Sequence, residues 1–281
     1  MEKTDLIIIL VIYKKRFIDI PSFNLIKNIQ TTTDLKLQVI IYDNSPETIN
    51  SAEELPSYIS YINNKNNPGL ATAYNYGAEV SIKQHCNWLL LLDHDTELTT
   101  EYFMNVFDTL KKDSLTDDIV AIMPVVRANG EIIAPVRTTF KKYHYAINKT
   151  GKLTGNITGI NSGTVVRVSF VKQLGGFNLN FPLDYLDHWF FDRINKASKY
   201  IYVLDTVLYQ NLSINNFKVN VDKVRYNSIL RAKVLYYRDQ HLLFSLKLKY
   251  DLMRSLLNHL LYTRDKQYAF LAFKYFIKSF K

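Results

Sequence analysis

Sulfur is nearly missing from this sequence. Its single cysteine, Cys86, excludes an intramolecular disulfide framework and a cysteine-rich zinc site, and it fits a reducing cytoplasm. Long apolar runs are missing as well: none reaches the roughly 18 residues that a membrane-spanning helix needs. The first segment, MEKTDLIIILVIYKKRF, has only a short apolar stretch. Both charges precede it and no small-residue cleavage site follows, so a first buried strand is expected rather than a secretory signal. Two phosphate-binding signatures are also lacking. No G-x-G-x-x-G follows the first strand, and there is no Walker A lysine loop. Acidic residues are scarce in the last quarter. Residues 218–281 hold fourteen Lys and Arg against four Asp, a net charge of +10, whereas residues 1–217 carry 21 basic and 22 acidic side chains. The basicity belongs to the tail. No nucleic-acid recognition motif accompanies it.

What remains is ample for a folded protein. The chain has 281 residues, 47% of them hydrophobic, enough for one large domain or one domain with an appendage. Its most informative stretch is Leu89-Leu90-Leu91-Leu92-Asp93-His94-Asp95. Four leucines after Trp88 read as a strand buried on both faces. Strand residues alternate faces, so Asp93 and Asp95 are expected to converge at its carboxyl end and His94 to point away. Open α/β sheets bind ligands at such strand ends. Two neighbouring carboxylates repel each other unless neutralised, and their oxygens suit Mg²⁺ or Mn²⁺. The plainer alternative makes Asp95 the cap of a helix starting near Glu97.

The chain around this stretch alternates strands and helices. Strands are expected at 6–13, 37–42 and 58–63, with helices over 20–30 and 70–85. Lys14, Lys15 and Arg16 follow the first strand, and Asp43-Asn44-Ser45-Pro46 closes the second. This is the pattern of a parallel, doubly wound sheet. The second part is less regular. It offers a helix over 99–112, a strand over 119–126, a hairpin around Asn129-Gly130, a polar stretch over 141–156, a turn-to-strand at Asn161-Ser162-Gly163, and a strand or two over 200–208. Asp184, Asp187 and Asp192 lie among large aromatics, either as a solvated helix face or as site residues. From Val221 on, Leu, Tyr, Phe, Lys and Arg dominate without glycine or proline, which predicts two or three amphipathic helices.

Taken in order, several blocks resemble the family 2 inverting glycosyltransferases of the GT-A fold, most closely the rhamnosyltransferase-type members. The blocks are the strand ending at Tyr13, Asp43-Asn44-Ser45, Asn67-Pro68-Gly69-Leu70-Ala71 with Asn75 and Gly77, Leu92-Asp93-His94-Asp95, Asn161-Ser162-Gly163, Gly175-Gly176-Phe177, and Asp184-Tyr185-Leu186-Asp187 with Arg193. The resemblance covers about residues 6–211. It implies an α/β GT-A catalytic domain over 1–217, with a central mostly parallel sheet and a basic helical segment over 218–281.

The resemblance also implies roles. Tyr13 packs on the nucleotide base and Asp43 accepts from its imide. Asn67, Gly69 and Asn75 close over the nucleoside, and Asn161 and Ser162 join the nucleotide-sugar site. His94 stands either against the donor sugar or as a polar spacer pointing away, Asp93 serves ribose and metal, Asp95 ligates the Mg²⁺ or Mn²⁺, and Asp187 is the general base. That last role makes chemical sense in itself. An inverting transfer needs one carboxylate to take the acceptor hydroxyl's proton, and the diphosphate leaving group needs neutralisation rather than protonation. The chain departs from the family pattern at Trp189, where relatives carry an acid, and at Tyr209-Gln210-Asn211, where relatives carry a metal-binding histidine.

The function so implied is a metal-dependent transfer of a hexosyl group to a lipid-linked oligosaccharide in bacterial surface-polysaccharide assembly. The donor is dTDP-rhamnose or a UDP-sugar. A non-catalytic nucleotide-sugar-binding scaffold and a nucleotidyltransferase are the alternatives. The basic tail is expected to bind an anionic membrane surface on the cytoplasmic face, or to pack on the catalytic domain or form a homodimer.

Overall fold

Seven consecutive apolar residues form the first strand, β1 (Leu6–Ile12), and all seven are buried. A run with no polar position must be covered on both faces. Alternation decides what covers each. Ile8, Leu10 and Ile12 share a core with Phe23, Ile26 and Ile29 of helix α1 (Pro21–Thr32). Pro21 sits at the start of that helix, where its missing N–H costs nothing. Strands β2 (Leu37–Asp43) and β3 (Ile59–Asn63) follow, and then helix α2 (Leu70–Lys83). This helix covers the opposite face, where Gly77 lets it approach Ile9 and the leucine strand closely. A Cβ at Gly77 would stand 3.0 Å from that of Ile9.

Strand β4 (Trp88–Asp93) is the leucine run, with Leu89 to Leu92 fully buried. Helix α3 (Thr100–Leu110) comes next, capped by Thr99, whose hydroxyl accepts from the Tyr102 N–H at 3.1 Å. The cap is therefore Thr99, not Asp95. Strand β5 (Ile119–Ala128) turns through Asn129 and Gly130, both at positive φ, into β6 (Glu131–Ala134), the predicted hairpin. Short strands β7 (Val136–Arg137), β8 (Tyr145–Ala146), β9 (Gly151–Leu153) and β10 (Ile157–Thr158) occupy the irregular region. Then come β11 (Thr164–Arg167), α4 (Val168–Gln173), α5 (Leu186–Lys196) and β12 (Tyr200–Tyr209). β12 is one strand with register shifts, where the sequence allowed two.

The computed structural model describes residues 4–51, 55–112, 115–137, 145–209, 221–238 and 242–280. Among these, the main sheet runs β3-β2-β1-β4-β11-β5-β12-β9, with β6 beside β5, and β10-β7-β8 form a second small sheet. Strands β3, β2, β1 and β4 are mutually parallel, as are β5 and β12. β11 runs antiparallel to both its neighbours, β4 and β5. This is the expected α/β class with a mostly parallel central sheet; β11 is the strand expected after Asn161-Ser162-Gly163, but its place between β4 and β5, antiparallel to both, was not foreseen.

Residues 1–211 form one compact unit and 212–281 a second. The predicted division at 217/218 and the segment Gln210-Asn211 lie outside the described residues, as does 141–144 of the polar stretch. In the second unit three helices pack on one another: α6 (Lys223–Arg238), α7 (Leu242–Tyr262) and α8 (Gln267–Lys278). No helix among the described residues is long and apolar enough to cross a membrane.

Candidate active site

Strand register brings the candidate residues to one edge. Asp43 lies opposite Ile12, and Asp93 opposite Val11, so both carboxylates stand at the carboxyl end of the sheet with β1 between them. Because β11 is antiparallel to β4, the turn that opens it meets the strand end. There Ser162 accepts the Asp93 N–H at 2.8 Å and shares a 2.7 Å bond with the Thr96 hydroxyl.

Beyond Asp93 the chain leaves the strand. The Thr96 N–H closes a turn on the Asp93 carbonyl at 3.2 Å, and the His94 N–H donates to Val11 at 3.1 Å. Alternation therefore does not carry through to Asp95. Asp93 is half-buried, His94 half-buried and Asp95 exposed. The two carboxylates are nonetheless coupled. Burial, then the charge of Asp95, then that of Asp187 push the Asp93 carboxyl up to about 7, against a hydrogen bond from Tyr74 that lowers it. Asp187 reaches this cluster from the first turn of α5, where its Oδ1 accepts the His188 N–H at 2.7 Å. Tyr185 enters that helix in the left-handed region at φ 64°, a bend that a bulky side chain adopts only under constraint.

Helix α2 holds these pieces in place. Tyr74 is fully buried and its hydroxyl donates to Asp93 Oδ1 at 2.8 Å. Burial, and after it the Asp93 carboxylate, raise the phenol well above its ordinary value, so Tyr74 stays protonated as a donor. One residue on, Asn75 pairs twice with Phe177. Its Nδ2 donates to the Phe177 carbonyl at 2.9 Å, and the Phe177 N–H donates to its Oδ1 at 2.6 Å. The Pro182 carbonyl accepts from the Leu70 N–H at 2.6 Å and more loosely from that of Ala71. It thus satisfies amides that a helix start otherwise leaves open. Gly69 sits at φ 89°, and a Cβ there would collide with that same carbonyl. The α2 start is thereby bonded to the segment that leads into Asp187.

The other predicted residues divide into two groups. Tyr13 is exposed at the end of β1 with the Lys14 ammonium 5.1 Å from its ring centre, and Asn67 is exposed at φ 44°. Both can reach a ligand. Asp43, by contrast, is wholly buried. It accepts from the Ser45 N–H at 2.8 Å, from Asn50 at 2.9 Å and from Tyr61 at 2.8 Å. These bonds pin the loop after β2. Asn75 and Ser162 likewise spend their side chains on the protein. Asn161 is buried and its Oδ1 has no hydrogen-bond partner among the described residues. The sequence reading missed the roles of Tyr74, Thr96 and Pro182.

Among the described residues no three His, Cys, Asp or Glu side chains form a metal cage. Asp93 and Asp95 still fit a hard divalent cation. They offer carboxylate oxygens at the end of β4, and the charge of Asp95 helps to raise the Asp93 carboxyl, a repulsion that such a cation would relieve.

Similarity to known proteins agrees with this geometry. A search of curated sequences finds no match. Among solved structures, TarS of S. aureus is similar in fold. For TarS 1-349 in complex with UDP the TM-score is 0.58 at 14% identity, covering 98% of this chain and 81% of that one. The complex with UDP-GlcNAc gives 0.58 at 13% identity with the same coverage. A further TarS structure gives 0.54 at 12% identity over 96% of this chain, which spans 55% of the length of that TarS chain. The sequence itself matches the family described as glycosyl transferase family 2 over residues 20–175, more than half its length, from α1 through the Asp93 and Ser162 contacts. With this sheet and these strand-end residues, the chain belongs to glycosyl transferase family 2 and carries its GT-A fold.

Proposed function

We propose that the protein transfers a hexosyl group from a nucleoside-diphosphate sugar to a hydroxyl of a lipid-linked saccharide, with inversion, at the cytoplasmic face of a membrane. The observation that supports this most is the approach of Asp187 to the Asp93–Asp95 pair, close enough for its charge to raise the Asp93 carboxyl. Asp187 acts as general base. It accepts the acceptor hydroxyl's proton as that oxygen attacks the anomeric carbon, a role worth roughly 10²- to 10⁴-fold in rate. A Mg²⁺ or Mn²⁺ ion held by Asp95 and Asp93 would neutralise the diphosphate leaving group.

The protein's own residues supply the rest. Tyr13 offers an aromatic face to the base, Asn67 and His94 contact the donor, and Asn161 offers its unpartnered carbonyl oxygen. Asp43, Gly69, Asn75 and Ser162 fix the walls around them. Tyr74 keeps one oxygen of Asp93 engaged and so sets the direction of the other. For the donor, dTDP-rhamnose and a UDP-sugar both satisfy this chemistry, and the UDP and UDP-GlcNAc bound by TarS favour the second.

A thermal-shift panel of UDP- and dTDP-sugars, with and without Mn²⁺, tests the reading. A cation-dependent upward shift with one donor is expected. No shift with any donor would favour a scaffold without catalysis.

A further inference from the structure

The second unit carries more apolar surface than its own packing consumes. On α7, Leu248 and Leu252 are buried, Ser255 bonds the Tyr226 hydroxyl of α6, and His259 stacks on Tyr268 of α8. These positions form the inner face. A second stripe recurs every three or four residues on the other side: Leu246, Tyr250, Met253, Leu257, Leu260 and Leu261, all exposed. Helix α8 and the residues just after it repeat the pattern. Ala269, Ala272 and Tyr275 are buried, whereas Phe270, Phe273, Ile277 and Phe280 are exposed. Tyr250, Leu261, Phe270 and Phe280 are each between 60% and 70% exposed. Patches of this kind on neighbouring helices mark a contact surface.

Charge identifies the occupant. At helical spacing, Lys249 borders the α7 stripe on one side and Arg254 on the other, and Lys274 borders that of α8. Among the described residues, the acids of this unit are already engaged. Asp251 pairs with Lys233 and Asp265 with Lys223, each at 3.0 Å, and Asp222 caps α6 through the Arg225 N–H. Two copies meeting through these stripes would bring like charges together with no free acid among the described residues to relieve them. An anionic bilayer offers both an acyl layer for the Leu and Phe stripes and phosphates for the flanking ammonium and guanidinium groups. The unit is not suited to crossing the bilayer, since Lys247, Lys249, Asp251 and Arg254 interrupt α7.

We infer that the exposed stripes of α7 and α8 form a monotopic docking surface for anionic lipid, with the helices lying in the interface. This rests on the membrane part of the proposed function and sharpens it. It does not depend on the transfer chemistry.

The test is flotation of the full chain with phosphatidylcholine vesicles, with and without phosphatidylglycerol, in the absence of any donor. Binding should need phosphatidylglycerol and weaken with salt. The double variant Leu257→Glu/Phe273→Glu alters only exposed positions. It should keep its circular dichroism and melting temperature yet lose about tenfold or more in vesicle affinity. Vesicle binding that the double variant leaves intact would overturn this surface while sparing membrane association. No binding to anionic vesicles would overturn both, leaving transfer activity to be judged separately. A dimer that the double variant dissociates, in a protein that ignores vesicles, would assign the stripes to a second copy instead.

Discussion

The Tyr74 hydroxyl donates to Asp93 Oδ1 across 2.8 Å, from the buried side of α2 to the end of β4. The contact joins the helix that braces the Asp187 segment to the strand that ends in the carboxylate pair. Replacing Tyr74 with Phe keeps the ring and removes the donor. The variant should lose about 1–3 kcal/mol of stability, the usual cost of leaving a buried acceptor unmatched. The Asp93 carboxyl should rise further, because this bond is the cause that lowers it. Denaturant unfolding and a pH titration of donor binding would check the two parts.

Asp93 gives the protein a characteristic pH dependence in EDTA. Its carboxyl is raised from 3.8 to about 7 in the folded state. The folded chain therefore holds this proton more tightly than the unfolded chain across that window. Stability contributed by the protonated form is present at the acid end and is lost as pH rises toward 7 and beyond. The melting temperature of Asp93→Asn should not share this decline, so the difference between the two curves should widen from about pH 4 to about pH 7. A constant difference would contradict the assigned environment.

The pairing of Asn75 with Phe177 makes a separate forecast. A methyl group at Gly176 would stand 2.6 Å from Asn75 Oδ1. Gly176→Ala should break the two-way bond, lower stability by about 1–3 kcal/mol and slow transfer by loosening the path to Asp187. Asn75→Ala should resemble it, and the two changes should not be additive. Equal melting temperatures for wild type and both variants would show that the pair does not brace this segment.

What was legible in the sequence follows physical range. The runs expected at 6–13, 37–42 and 89–92 and the Asn129-Gly130 hairpin are local patterns, and each forms within a residue of its expected bounds. The helical character of the tail was legible for the same reason, although the pattern leaves the count at two or three. The insertion of β11 between β4 and β5 was not legible, because pairing Val166 with both Leu89 and Ala121, far away in the chain, leaves no local mark. The reading of Asp93 and Asp95 as strand neighbours failed for a different cause. Period-two alternation holds only inside a strand, and the Thr96-to-Asp93 turn ends it. The bonds of Asp43 to Tyr61 and Asn50, and of Asn75 to Phe177, were not legible, because they join side chains that only folding brings together.

Asp187 carries the central claim. The decisive measurement is nucleoside-diphosphate release and saccharide product from Asp187→Asn, set beside its donor binding by calorimetry. The general-base role predicts a fall in turnover of about 10²-fold or more, with Mn²⁺-dependent donor binding retained. Turnover within a few-fold of wild type, with donor binding intact, would contradict it.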